Sequence, residues 1–175
     1  IDGHAPGLSG EELNAYLAAG ILSDHESTTL EEGREKLEKG MWLMIREGSS
    51  EKNLDALLPL VSAKTCRRCF FVVDDRSCFD LLHHGDVDDV VRKAIAGGLE
   101  PVMALQMATI NPAEYFRLYD RGAIAPGYLA NLITITDLSS LEIDRVFYQG
   151  SLVAREGRAI FSLPDISLEL ADTVH

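Results

Sequence analysis

Cysteine is scarce: the 175 residues hold three, Cys66, Cys69 and Cys78, an odd number crowded into one stretch. That excludes the disulfide framework of a small secreted domain. Cys66 and Cys69 form a Cys-x-x-Cys pair, but no second pair follows to complete the four ligands of a structural zinc site, so all three read as reduced structural thiols. Basic charge is short as well. Sixteen Lys plus Arg face 28 Asp plus Glu, a net charge of -12, which removes the electrostatic footprint of a protein that grips phosphate backbones. No run of about 20 apolar residues could cross a bilayer, and the first residues lack the basic-then-apolar layout of a leader. The expectation is a cytoplasmic protein with neither nucleic acid nor membrane as partner. Gly-x-Gly-x-x-Gly and Walker-type loops are also missing after every apolar run, which argues against a dinucleotide or phosphate binder.

What is present is an ordinary globular balance, 46% hydrophobic and 25% charged, with no low-complexity tract. Up to about residue 97, short apolar runs alternate with amphipathic stretches, the pattern of strand-then-helix units around a parallel sheet. Ser9 and Glu12 have capping-box spacing before a helix bearing Leu13, Tyr16 and Leu17. Residues 19–22 read as a strand ending in Ser23, Asp24 and His25. Thr29 and Glu32 repeat the capping box, and Gly40 closes that second helix. Residues 41–45 and 70–73 read as strands buried on both faces. Between them, 53–61 reads as a helix whose last turn Pro59 disturbs. Asp86 caps a helix through Ile95, stopped by Gly97-Gly98. Pro101 opens another, and Asn111-Pro112 a third, with the asparagine as cap. From Gly127 onward, β-branched runs at 132–136, 146–148 and 152–154 are separated by turns, Gln149-Gly150 among them.

Three predicted strands end in residues able to hold a metal: His4 after Ile1, His25 after Ile21-Leu22, and Asp74 after 70–73. In an α/β barrel the active site is built at the C-terminal ends of the strands, so residues far apart in sequence converge there. Two imidazoles and a carboxylate suit zinc, manganese or iron, and a divalent ion lowers the pKa of bound water toward neutrality. Glu26, beside His25, is a candidate for bonding a substrate nitrogen or orienting a ligand. His83 and His84 read as surface residues.

The segments Asp-Gly-His-Ala-Pro-Gly-Leu-Ser-Gly at 2–10, Ala-Ala-Gly-Ile-Leu-Ser-Asp-His-Glu-Ser-Thr-Thr at 18–29 and Val-Asp-Asp-Arg at 73–76 closely resemble the adenine deaminases of the amidohydrolase superfamily. Ala-Thr-Ile-Asn-Pro-Ala at 108–113 and Arg-Gly-Ala-Ile-Ala-Pro-Gly at 121–127 are similar to the stretch that leads from the barrel of that superfamily into its small β domain. The likeness runs through about residue 157. It implies the C-terminal portion of a TIM-type (β/α)8 barrel at 1–126, a segment of the small β domain at 127–160 and a linker or tail at 161–175. It also implies hydrolysis of adenine to hypoxanthine and ammonia by a divalent metal enzyme, with manganese or iron foremost, zinc next, and two ions in the complete site. His4 would be the ligand after barrel strand five and His25 the ligand after strand six. Asp74, after strand eight, would bind metal and carry the proton from the attacking water to the leaving group. Asp75 is the alternative to Asp74 and a further substrate-binding candidate.

The chain departs from the family pattern in lacking the His-x-His pair and the carboxylate of the earlier strands. A whole barrel takes about 250 residues, and four strand-helix units cannot close one. The expectation is therefore a portion of a longer enzyme, inactive alone, whose open sheet edges lead it to associate with its N-terminal half or with further copies. Asn131 stands where the superfamily usually has aspartate, outside the catalytic set. Two other readings stay open: a different amidohydrolase of the dihydroorotase, hydantoinase or deacetylase type, and a non-catalytic barrel segment.

Overall fold

In the computed structural model, which describes residues 2–162, the strands form two separate sheets. The first is parallel and three-stranded, in the order β1 (Ser23–Asp24), β2 (Trp42–Arg46), β3 (Cys69–Val72). The second is antiparallel and four-stranded, running in chain order through β4 (Leu132–Ile135), β5 (Ile143–Tyr148), β6 (Ser151–Arg155) and β7 (Arg158–Ala159). The expected tail lies outside the described residues from 163 onward, and Ile1 does also.

Helices α1 (Gly10–Ala18) and α2 (Leu30–Glu38) connect the start of the chain to β1 and β2. Thr29 caps α2 as expected, its hydroxyl accepting from the Glu32 N–H at 3.3 Å. Ser9 precedes α1 but makes no side-chain cap, and the Gly10 N–H instead donates to the Glu35 carboxylate on α2 at 2.8 Å. The stretch read as one helix at 53–61 divides into α3 (Leu54–Leu57) and a 3-10 turn (Leu58–Leu60). Proline is tolerated at the start of such a turn but cannot donate within an α-helix, which accounts for the division.

After β3, a short helix α4 (Cys78–His83) occupies what read as loop, and α5 (Val87–Ala96) and α6 (Pro101–Ala108) follow where expected. The next helix, α7 (Ile110–Tyr115), begins two residues earlier than read, with Thr109 at the cap position. Asn111 is not its cap. It is fully buried, and its amide donates at 2.8 Å to the carbonyls of both Cys66 and Cys69, fastening α7 to the entry of β3. Cys66 and Cys69 are buried free thiols, and burial pushes the Cys69 thiol up to about 12.

Register assigns the two faces of the parallel sheet. Ser23 pairs with Trp42, Asp24 with Leu43, Met44 with Phe70 and Ile45 with Phe71. Side chains alternate along a strand. Asp24, Leu43, Ile45, Cys69 and Phe71 therefore share one face, and Ser23, Trp42, Met44, Arg46 and Phe70 share the other. Leu43, Ile45, Cys69 and Phe71 join Leu54, Leu57, Val90, Val91, Ala94 and Met107 in the main core beneath the helices. On the opposite face Met44 and Phe70 are also buried, and Phe70 packs with Trp42, Tyr115 and Phe116. Burial on both faces is why these strands are continuous apolar runs. In the antiparallel sheet Gln149 and Gly150 are both left-handed, at φ 49° and 81°, the geometry of a tight hairpin turn between β5 and β6.

Candidate metal and catalytic site

β1 is shorter than its sequence suggested. Residues 19–22 lie outside it, and the strand consists of the polar pair Ser23–Asp24 itself. The chain therefore pairs with β2 at its polar end, and His25 and Glu26 follow directly beyond the C-terminal end of the strand. The segment carrying His4 lies against β1. The Gly3 N–H donates to Ser23 Oγ at 3.1 Å, and the Ala5 N–H donates to Asp24 Oδ1 at 2.8 Å. The approach is so close that a Cβ on Gly3 would stand 1.9 Å from the Ser23 carbonyl oxygen. Only glycine fits there.

This packing brings His4 and His25 together, with ring centroids 5.4 Å apart and edge to face. Glu26 faces both: its Oε1 is 3.7 Å from His4 Nδ1 and 3.4 Å from His25 Nε2. One ligand atom from each of the three lies within 4.8 Å of the others. His4 is exposed, while His25 and Glu26 are half-buried. Two nitrogens and a carboxylate oxygen converging at one point form a donor set that fits a divalent transition ion.

Asp74 and Asp75 lie beyond the end of β3. They are not in that three-residue group, and Arg46 joins them to it. The guanidinium is buried at the end of β2, bonded through Nη1 to Glu26, with Nη2 2.8 Å from Asp74 Oδ2 and 3.2 Å from Asp75 Oδ1. Consecutive residues of an extended strand point to opposite faces, yet both aspartates reach one arginine. Asp74 makes this possible by leaving the strand conformation at φ 49°, a left-handed geometry that aspartate tolerates better than most residues. Burial by itself would raise the Asp75 pKa, but the Ser50 N–H at 2.7 Å, the Ser50 hydroxyl and Arg46 outweigh it and hold the carboxyl at about 2. Burial likewise works against the Arg46 charge, and Asp75, Asp74 and Glu26 more than restore it.

Behind the imidazoles, on the helix-covered face, Asp24 meets Lys36 of α2 at 2.8 Å, both fully buried. Burial opposes the Asp24 charge, but Lys36, Ser27 and the Ala5 N–H leave its pKa below the ordinary value. Neither Lys36, Asp24 nor Arg46 was singled out from sequence. Arg46 carried a usable signal, since it follows an apolar run as His25 and Asp74 do. His83 and His84 lie apart from the site, with the exposed His83 ring stacked on Phe79.

The amidohydrolase family model matches residues 1–153. The chain belongs to the amidohydrolase family. It is similar to an adenine deaminase of Dehalococcoides mccartyi, 65% identical over 161 residues, 92% of this chain and 28% of that protein. Adenine deaminase 2 of Carboxydothermus hydrogenoformans is 54% identical over 93% of this chain and 28% of its own length. The chain thus spans under a third of the length of these curated relatives. Among solved structures, enamidase, described as a member of the amidohydrolase superfamily, superposes with a TM-score of 0.68 at 17% identity, covering 90% of this chain and 48% of that one. A β-aspartyl dipeptidase of Fervidobacterium islandicum gives 0.60 at 22% identity, over 78% and 37% respectively. These two likenesses concern the fold: an α/β unit matching part of amidohydrolase structures, with a small antiparallel sheet after it.

Proposed function

We propose that these residues are part of a metal-dependent adenine deaminase, with the parallel sheet and its helices, residues 1–126, forming the later strands of a (β/α)8 barrel and 127–160 part of its small β domain. One observation carries the reading: His4, His25 and Glu26 bring three ligand atoms within 4.8 Å of one another at the C-terminal end of a parallel sheet. Barrel enzymes build their chemistry at that end. The identity to adenine deaminases, 65% and 54% in the two relatives above, supports adenine as substrate.

His4, His25 and Glu26 would hold the ion, and Asp74 would add a carboxylate from the end of β3. A divalent ion bound there lowers the pKa of water toward neutrality. Asp74 takes a proton from the attacking water, whose oxygen bonds to C6 of adenine. It then delivers a proton to the departing nitrogen as the C6–N bond breaks, and hypoxanthine and ammonia result. Arg46 orients Asp74 for both transfers. The described residues alone would be inactive, because the rest of the donor set belongs to the remaining length that the relatives possess.

The test is ammonia release from adenine by the full-length protein purified with manganese, compared with His4→Ala, His25→Ala and Asp74→Asn. Loss of a general base and acid costs about 10²–10⁴-fold, so Asp74→Asn should fall in that range. The histidine variants should lose metal as well as activity. A folded, metal-loaded protein that leaves adenine intact overturns the assignment.

A further inference from the structure

Lys36 is among the largest fully buried side chains of the described residues, and its ammonium has no solvent exposure. Its Nζ donates to the Ala5 carbonyl at 2.7 Å, Asp24 Oδ2 at 2.8 Å, Ser27 Oγ at 3.0 Å and Glu32 Oε1 at 2.7 Å. An ammonium has three protons, so four acceptors saturate it. Asp24 is equally enclosed. Its Oδ1 accepts from the Ala5 N–H at 2.8 Å, and its Oδ2 from the Ser27 hydroxyl at 2.7 Å and the Glu26 N–H at 3.2 Å.

These bonds fall beside the three side chains that converge in front of the sheet. Ala5, next to His4, is gripped through its N–H by Asp24 and through its C=O by Lys36. Asp24 immediately precedes His25, and it holds the Glu26 backbone directly. Asp24 faces α2 through its bond to Lys36, while His25, beyond the strand end, faces His4 and Glu26. The pair therefore acts on the backbone that carries the imidazoles, through the Ala5 N–H and C=O and the Glu26 N–H.

We propose that Lys36 and Asp24 are positioning residues that set the spacing of His4, His25 and Glu26 for a divalent cation, an inference that rests on the reading of those three as metal ligands. Stability alone does not call for an ion pair here. Replacing a buried pair by neutral or apolar groups of similar volume is often harmless to a fold, whereas removing one partner is costly. What neutral groups cannot supply is the directional grip on the Ala5 carbonyl and Ser27. Supporting contacts behind metal ligands change metal affinity by about 10–100-fold when lost.

The experiment uses the full-length protein stripped of metal and titrated with cobalt(II), whose visible absorption reports ligand geometry. The variants are Lys36→Met and the double variant Asp24→Asn with Lys36→Met, each measured below its own melting midpoint. The single variant should melt lower in the metal-free state, bind cobalt at least about tenfold more weakly and show an altered spectrum. The double variant should regain much of the melting midpoint while keeping the weakened affinity and altered spectrum. Cobalt affinity and spectrum that match the unmodified protein in the double variant, or that recover in step with its melting midpoint, overturn the proposal and leave the pair a folding element only. His4→Ala and His25→Ala separate this from failure of the underlying reading: if they leave cobalt affinity unchanged, the ligand assignment itself is wrong.

Discussion

Arg46 Nη2 lies 2.8 Å from Asp74 Oδ2, and through Nη1 the same guanidinium binds Glu26. One planar group thus ties the end of β3 to the loop after β1, across the full width of the parallel sheet. Its fork suits this role, since two carboxylates approach different nitrogens of a rigid frame. Arg46→Met would leave Glu26 and Asp75 partly buried without their counter-charge. Removing one partner of a buried pair costs about 3–5 kcal/mol, and the half-exposed Asp74 brings the expectation to about 2–3 kcal/mol. Arg46→Lys keeps the charge but loses the fork. It should restore most of that stability in urea unfolding while kcat stays well below the unmodified value, because Asp74 is no longer oriented. Equal recovery of stability and kcat would show that charge alone matters at this position.

The Asp75 carboxyl, held at about 2, makes stability depend on acid. Its unfolded pKa is about 3.9. A folded pKa below the unfolded one contributes stability that is fully present above about pH 4 and is lost as pH falls through about 2. The contribution is at most about 2 kcal/mol after solvent screening. Asp75→Asn should therefore be less stable than the unmodified protein at pH 6, with the difference narrowing steadily between pH 4 and pH 2. Parallel curves in urea unfolding across that range would show that Asp75 titrates alike in both states.

β2 and β3 were legible because burial on both faces writes them as unbroken apolar runs, whereas β1 is the polar pair Ser23–Asp24 and the apolar run before it lies outside the strand. Asp74's separation from the histidine group was not legible, since it depends on the left-handed turn at that residue and on Arg46 intervening. Lys36 was hidden for a different reason. A lysine on an amphipathic helix reads as solvated, and its burial depends on acceptors 31 and 12 residues earlier in the chain, at Ala5 and Asp24. Asn111-Pro112 has the composition of a helix start, but the buried turn into β3 needed a donor, and the asparagine amide is drawn inside the helix to the Cys69 carbonyl and to the Cys66 carbonyl, which also accepts from the Cys69 N–H.

That demand predicts a stability defect remote from the histidines. Asn111→Ala would leave the Cys66 and Cys69 carbonyls without the amide that now serves both, in a fully buried setting. The Cys66 carbonyl keeps the Cys69 N–H as a donor, and one unsatisfied buried acceptor costs about 1–3 kcal/mol, so a loss of about 1–3 kcal/mol should appear in urea unfolding. Cobalt affinity of the folded variant should stay within twofold of the unmodified protein. A defect under 1 kcal/mol would mean that water reaches those carbonyls once the side chain is gone.

Gly3 gives the sharpest test of how the histidines are brought together. A methyl group there would stand 1.9 Å from the Ser23 carbonyl oxygen and 2.9 Å from Ile21 Cγ2, so Gly3→Ala must push the His4 segment off β1. The Gly3 N–H bond to Ser23 and the Ala5 N–H bond to Asp24 would stretch first, and His4 would move away from His25. Overpacking of this kind costs about 1–3 kcal/mol, yet the larger effect should fall on the metal, because a shift of about 1 Å is enough to spoil a ligand set. Metal content after dialysis should drop well below that of the unmodified protein, while circular dichroism shows the fold retained. Full metal retention in Gly3→Ala would indicate that His4 reaches the ion from a segment free to move, and that the close contact with β1 serves only packing.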